Sequence, residues 1–413
     1  MRQKIGLLFL FIALVPALVG CGGGGGGGSS SGAGSRGILD GAGEDPGGAI
    51  PGGGADPASF SQIQTAVFSC FGPDPASAAP RHGLYVTDQG RWYIARTVKA
   101  ANPSTKLFVY EGVGFTANRA WKNDPIGYAW ISQNHPEWLL KDGSGQNIPF
   151  SSYPFLLAVD PGDPEYQRVW AENAIAIATE LGADGISIDN LNSRYDWNFH
   201  VIPVKYPDRA SYAAAMDSFI RYVVPLIKQA GLQVIGNGSA ETSNTGMWME
   251  WNALTDGRAY EMDPLLGNGC PQEVDQRWLN LFEGFQIYGD KMNVFYVRQA
   301  SEVGEQAQRY YVASYLLMAT PTSYLGLYGH ENEPIPDNAL QNVRLGSPTE
   351  TGHQVSGRIW ARNYENGYVV INISASQAAE VEIPAGLADP DGNPVAPGAR
   401  TLAAHDSLVL FRQ

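Results

Sequence analysis

Short apolar runs recur along this chain at intervals that leave room for a helix between neighbours, and that alternation limits the fold more than any other feature. The runs fall at Gly83 to Thr87, Lys106 to Glu111, Phe155 to Asp160, Gly185 to Asp189, Leu232 to Asn237, Gly257 to Met262, Met292 to Val297 and Ser323 to Leu327. Between them lie helical patterns. One covers about Arg91 to Ala101, and another opens at Pro164 and buries Trp170, Ala174, Ile177, Ala178 and Leu181 before stopping at Gly182. A third carries Tyr212, Met216, Phe219, Val223 and Ile227 on one face and ends at Gly231. Eight strands separated by helices predict an α/β chain folded as a (β/α)8 TIM barrel. The segment from Thr65 to Gly72, TAVFSCFG, reads as a strand preceding that barrel.

In such a barrel the active site forms where the strands end, so the residues emerging there matter most. Under this reading they are Tyr110 and Glu111, Asp160, Asp189 with Asn190, Asn237 with Glu241 in the loop behind it, and Tyr260, Glu261 and Asp263. That many carboxylates on one rim exceeds what solvation requires, although Asp160 and Asp263, each before a proline, equally suit helix caps. Tyr195, Trp197, Trp248 and Trp251 are either platforms for sugar rings or ordinary packing. Trp248 and Trp251 stand at i and i+3 of a helical stretch and so share one face. His200 and His330 are further candidates to which no role is assigned. No histidine or cysteine cluster has metal-ligand spacing, so no metal or other cofactor is expected.

Five segments follow one another in a recognisable order: NHPEWLLKDGSGQNI from Asn134, LLAVDPGDPEYQRVW from Leu156, GADGISIDN from Gly182, VIGNGS from Val234 and GRAYEMDP from Gly257. Together they resemble glycoside hydrolases of the clan that includes endo-α-1,4-polygalactosaminidase, and within it the hypothetical glycoside hydrolase-like family fifteen. The resemblance implies a catalytic acid at the end of strand four and another at the end of strand six, here Asp189 and Glu261. Glycosidic cleavage needs one carboxylate held ionised and one held protonated. Asp189 is assigned the nucleophile or stabilising carboxylate. Glu261, between Tyr260 and Met262, is assigned the general acid and base, with Glu241 as its rival. Tyr110, Glu111, Asp160, Asn190, Asn237, Glu241, Tyr260 and Trp197 are expected around the substrate. A barrel that binds glycan without cleaving it, serving polysaccharide export or surface attachment, is the alternative.

The ends of the chain speak to location. Arg2 and Lys4 precede an apolar run from Ile5 to Val19, and Leu18 to Cys21 resembles a bacterial lipobox. Residues 1–20 are therefore expected to be a lipoprotein signal peptide, with Cys21 lipidated and the protein held in the bacterial cell envelope, the outer membrane where one exists. Residues 21–58 are rich in Gly and Ser and predict a flexible tether. Residues 59–345 form the barrel, and 346–413 a small antiparallel β-sandwich with a hairpin signal at Glu365 to Gly367. Cys70 and Cys270 are free to pair in an oxidising compartment or to stay reduced. A net charge of −14 argues against a nucleic-acid partner and suits a neutral or cationic sugar polymer better. The expected partners are a polysaccharide or oligosaccharide and, through the lipid alone, a membrane; the protein is read as a monomer.

Overall fold

A computed structural model describes residues 63–68, 83–87, 92–118, 126–238, 245–266, 271–297, 304–327 and 343–413. Cys21, Cys70, Glu241, Cys270 and His330, together with residues 1–20 and 21–58, expected as signal peptide and tether, lie outside the described residues.

Eighteen strands are described. The barrel begins with β1 (Ala66–Phe68), β2 (Leu84–Thr87) and β3 (Lys106–Gly112). β4 (Phe115–Ala117) and β5 (Leu156–Ala158) form a separate antiparallel pair. The barrel resumes with β6 (Gly185–Asp189), β7 (Gln233–Asn237), β8 (Gly257–Glu261), β9 (Met292–Val297) and β10 (Ser323–Leu327). The eight barrel strands are all parallel and run in the order β1-β2-β3-β6-β7-β8-β9-β10. A bridge from Thr65 to Leu325, whose N–H donates to the Gln64 carbonyl at 2.8 Å, closes the ring.

The fold is the expected (β/α)8 barrel, but two segments take places that differ from the expectation. The TAVF segment expected ahead of the barrel is its first strand. Phe155 to Asp160, expected as the third, is not in the barrel sheet. Its core, β5, pairs with β4 and is flanked by Leu139–Lys141 and Asn147–Pro149 in a small irregular sheet. An apolar run shows that a segment is buried, not which neighbour buries it. The two errors offset each other, so β6 and β8 remain the fourth and sixth strands.

The main helices are α1 (Trp92–Ala101), α2 (Tyr128–Asn134), α3 (Pro164–Leu181), α4 (Arg209–Gln229), α5 (Thr245–Leu254), α6 (Pro271–Ile287) and α7 (Glu305–Met318). α3 shows how local chemistry fixes the ends. The Asp163 carboxylate accepts from the N–H groups of Glu165 and Tyr166, Pro164 takes the first turn, and Gly182 ends the helix at φ +62°. The chain then enters β6 through Asp184, whose carboxylate accepts from Leu107 N–H at 2.7 Å. β8 starts the same way: Asp256 accepts from Val234 N–H at 3.0 Å. In both strands the Asp is followed by Gly and, four residues further, by Asp189 or Glu261. Side chains alternate along a strand, so the glycine and the acid share the inward face.

Beyond β10 the chain forms β11 (His353–Ser356), β12 (Ile359–Tyr364), β13 (Gly367–Asn372), β14 (Ala379–Ile383), β15 (Leu387–Ala388), β16 (Pro394–Val395), β17 (Gly398–Leu402) and β18 (Ser407–Arg412). Six of these make one sheet and β14 pairs with β17 across it, as expected of a sandwich. Ile359, Val370, Val381 and Leu410 fill its interior. The opposite face joins the barrel's own core through Tyr364, Val369, Ile371 and Val409.

Candidate active site

The interior of the barrel is filled, from below, by Leu84, Val86, Phe108, Ile235, Ala259, Met292, Val294 and Tyr324. One step toward the carboxyl ends the inward residues turn polar. Five consecutive strands contribute Tyr110 (β3), Asp189 (β6), Asn237 (β7), Glu261 (β8) and Tyr296 (β9). Parallel register puts Glu261 directly opposite Tyr296.

These side chains bond to one another. Asp189 Oδ2 accepts from the Tyr110 hydroxyl and, at 3.3 Å, from Asn190 Nδ2. Asp189 Oδ1 accepts from Asn237 Nδ2 at 2.8 Å. The same nitrogen lies 2.9 Å from the Tyr296 hydroxyl and 3.4 Å from Glu261 Oε1. Tyr296 in turn donates to Glu261 Oε1 at 2.8 Å. The two carboxylates therefore meet across a single amide. Burial holds the Asp189 carboxyl above its ordinary range, and the Glu261 charge adds to that; the donors from Tyr110, Asn190 and Asn237 oppose it.

The turn after Asp189 is specialised. Asn190 has φ +63°, a left-handed conformation uncommon outside glycine and most tolerated by Asn. It sends Leu191 across to β7, where its N–H donates to the Asn237 carbonyl at 2.9 Å. Gly238 makes room: a Cβ there would collide with the Leu191 carbonyl oxygen. The motifs ending β6 and β7 thus lock the Asp189 and Asn237 backbones together.

Other expected site residues lie elsewhere. Glu111 and Tyr260 are buried on the outer face of their strands, because each follows or precedes an inward residue by one position. Asp160 is fully buried behind β5, where it accepts from Tyr206, Lys205 and, at 2.9 Å, Gly162 N–H. It fastens the loop that follows β6 and sits apart from the polar layer. Tyr195 stacks on Phe199 at 6.1 Å, and Trp251 donates to Asp217 at 3.0 Å; both are core, as is Trp248 under Arg258. Trp197 lies in a short 3-10 turn, and His200 is exposed. Tyr296 was missed. Its signal was the alternation Met292, Val294, Tyr296, which puts a hydroxyl inward at the strand end. Among the described residues no group of three or more His, Cys, Asp or Glu is placed to hold a metal.

The model of hypothetical glycosyl hydrolase family 15 matches residues 99–368, which include all five residues of the polar layer. The chain belongs to that family. Membership puts it among the glycoside hydrolases. Solved structures with the same fold include the maltogenic α-amylase AmyB of Thermotoga neapolitana, at 11% identity, 86% of this chain, 99% of that chain and a TM-score of 0.51. Others are a GH27 β-L-arabinopyranosidase of Geobacillus stearothermophilus (11%, 86%, 97%, 0.50) and an α-amylase of Lactobacillus plantarum (11%, 86%, 99%, 0.50). These likenesses concern the fold. No curated protein matches the sequence.

Proposed function

We propose that this family 15 protein hydrolyses a glycosidic bond of an extracellular or cell-envelope polysaccharide, with Asp189 as nucleophile and Glu261 as general acid and base. The observation that carries the proposal is the meeting of the two carboxylates across Asn237 at the carboxyl ends of β6 and β8. Asp189 suits the nucleophile because three side chains donate to it and orient it. The desolvation that raises its carboxyl also leaves its anion poorly screened and hence reactive. Asp189 attacks the anomeric carbon while Glu261 gives its proton to the departing oxygen, leaving a glycosyl ester on Asp189. Water then attacks that ester, Glu261 takes the water's proton, and the Asp189 carboxylate is released.

One amide touching both groups supports the close carboxylate spacing of retaining enzymes, about 5–5.5 Å, over the about 6.5–9.5 Å that leaves room for a water in inverting ones. Envelope attachment is supported by the lipobox-like Leu18 to Cys21 and the Gly-rich segment behind it. A screen for reducing-end release across bacterial exopolysaccharides identifies the substrate, and proton NMR of the first product gives its anomer. Retention is expected. An inverted first product contradicts the nucleophile role of Asp189, and glycan binding with no release contradicts hydrolysis.

A further inference from the structure

Among the described residues only two other than glycine hold a left-handed backbone: Asn190 in the active site, at φ +63°, and His405, at φ +50°. His405 lies outside the polar layer, in the turn between β17 and β18, and that turn is fastened to α7 of the barrel. Gln306 Nε2 of α7 donates to the Ala404 carbonyl at 3.1 Å and to that of His405 at 3.4 Å, and Arg309 of α7 lies 3.7 Å from Asp406. The His405 N–H donates to the Ser374 carbonyl at 3.0 Å. The imidazole packs against the Tyr310 ring at 4.9 Å, and its Nε2 and the Tyr310 hydroxyl are both buried without a hydrogen-bond partner among the described residues. A glycine here would relieve the backbone and leave no orphaned nitrogen. What the imidazole adds is a ring against Tyr310 and a group that titrates near neutral pH.

We infer that His405 is a proton-operated latch between the sandwich and the barrel: neutral, it seals the β17–β18 turn onto α7, and protonated, it lets that turn swing out to water. The charged groups around it are Asp275 from α6, Arg309 from α7, Arg358 just ahead of β12 and Asp406 in its own turn. Asp275 favours the cation, but its carboxylate already accepts from the Ala375 N–H at 2.8 Å and lies 3.3 Å from Arg358 Nε. Asp406 faces Arg309 and accepts from the Ser407 N–H at 2.8 Å. Tyr310 is held well above its ordinary range by burial and stays neutral. Burial therefore outweighs Asp275 and holds the imidazole below its ordinary 6.5. The unfolded chain takes up this proton first, so stability is lost as pH falls through 6.5, and the loss is complete below the lowered value of the folded state. Release of the turn hydrates the cation and leaves the barrel folded, because the bonds that hold it are few and lie at the surface of the junction.

The test compares the full chain with His405→Asn, since Asn tolerates the left-handed backbone and does not titrate; His405→Gly replaces it if the Asn protein fails to fold. In scanning calorimetry the melting temperature of the wild type, relative to the variant, falls by at least about 1 °C between about pH 7.5 and about pH 5.5. The other titrating groups, Asp189 included, are common to both proteins and cancel in the difference. Hydrogen exchange, corrected for its intrinsic pH dependence, locates the change: the amides of residues 403–407 lose protection at the lower pH in the wild type and keep it in the variant, while those of β8 keep it in both. A melting difference that does not move with pH overturns the latch. A difference that moves while residues 403–407 stay protected also overturns it, because the turn has then not opened.

Discussion

At the scale of the residue, two effects act on Asp189 in opposite directions, and their balance is measurable. Desolvation, reinforced by Glu261, raises its folded-state pKa above the ordinary 3.8 despite three donors. Between that ordinary value and the raised one, the folded protein binds more protons than the unfolded chain, so stability falls as pH rises through the window. Above the window the penalty is fully present. Asp189→Asn should therefore melt higher than wild type at pH 7 in scanning calorimetry, with the gap closing as pH falls toward 4; it should also be inactive. Glu261→Gln should lose about 10²–10⁴ in rate on the natural linkage but far less on an aryl glycoside whose leaving group needs no proton. Azide should then yield a glycosyl azide of retained anomer, and an equal loss on both substrates would remove Glu261 from the acid role. Asp189 and Glu261 were legible because an acid after a short apolar run is conspicuous. Tyr296 was not, because a tyrosine in MNVFYV reads as one more core residue until the inward face of the strand is known. The same alternation removes Glu111 and Tyr260 from the site, each being one position from an inward neighbour.

At the scale of the element, the site depends on how the ends of β6 and β7 are joined. Leu191 crosses to Asn237 over Gly238, and the left-handed Asn190 makes the crossing possible. Gly238→Ala sets a Cβ against the Leu191 carbonyl, so it should displace the Asn190 turn and lower both melting temperature and activity. Gly143→Ala, with open space around its Cβ, is the control and should change neither. Helix ends were legible at this scale, since Pro164 and Gly182 mark α3 by their chemistry alone, whereas the Asp163 cap shows only in the structure. Strand partners were not. Phe155 to Asp160 is as apolar as any barrel strand, yet its core is a strand of the small sheet inserted between β3 and α3. Only the three-dimensional context separates it from TAVF, the first strand.

At the scale of the whole molecule, the sandwich is part of the barrel's stability and not an appendage. Arg362 Nη1 donates to the carbonyls of Leu316 at 2.9 Å and Ala319 at 2.7 Å, and Tyr364 donates to Leu316 at 2.6 Å, so β12 caps the end of α7. Trp360 packs on Phe282 at 4.6 Å and on Trp278 at 5.4 Å. Arg362→Ala should cost about 2–4 kcal/mol in denaturant unfolding, because it takes the guanidinium donor from the Ala319 carbonyl and one of two donors from that of Leu316. Unfolding should remain one cooperative transition; two separated transitions would show independent domains. A β-rich tail packed on the barrel was legible from the sequence, whereas the residues that attach it were not, because Arg362 and Tyr364 look like ordinary strand residues. Whether one pair of carboxylates does the hydrolysis is read from the rates of Asp189→Asn and Glu261→Gln on the polysaccharide found by screening. Each folded variant should lose at least about a hundredfold in rate. Wild-type rates in both would mean that this pair does not carry the chemistry.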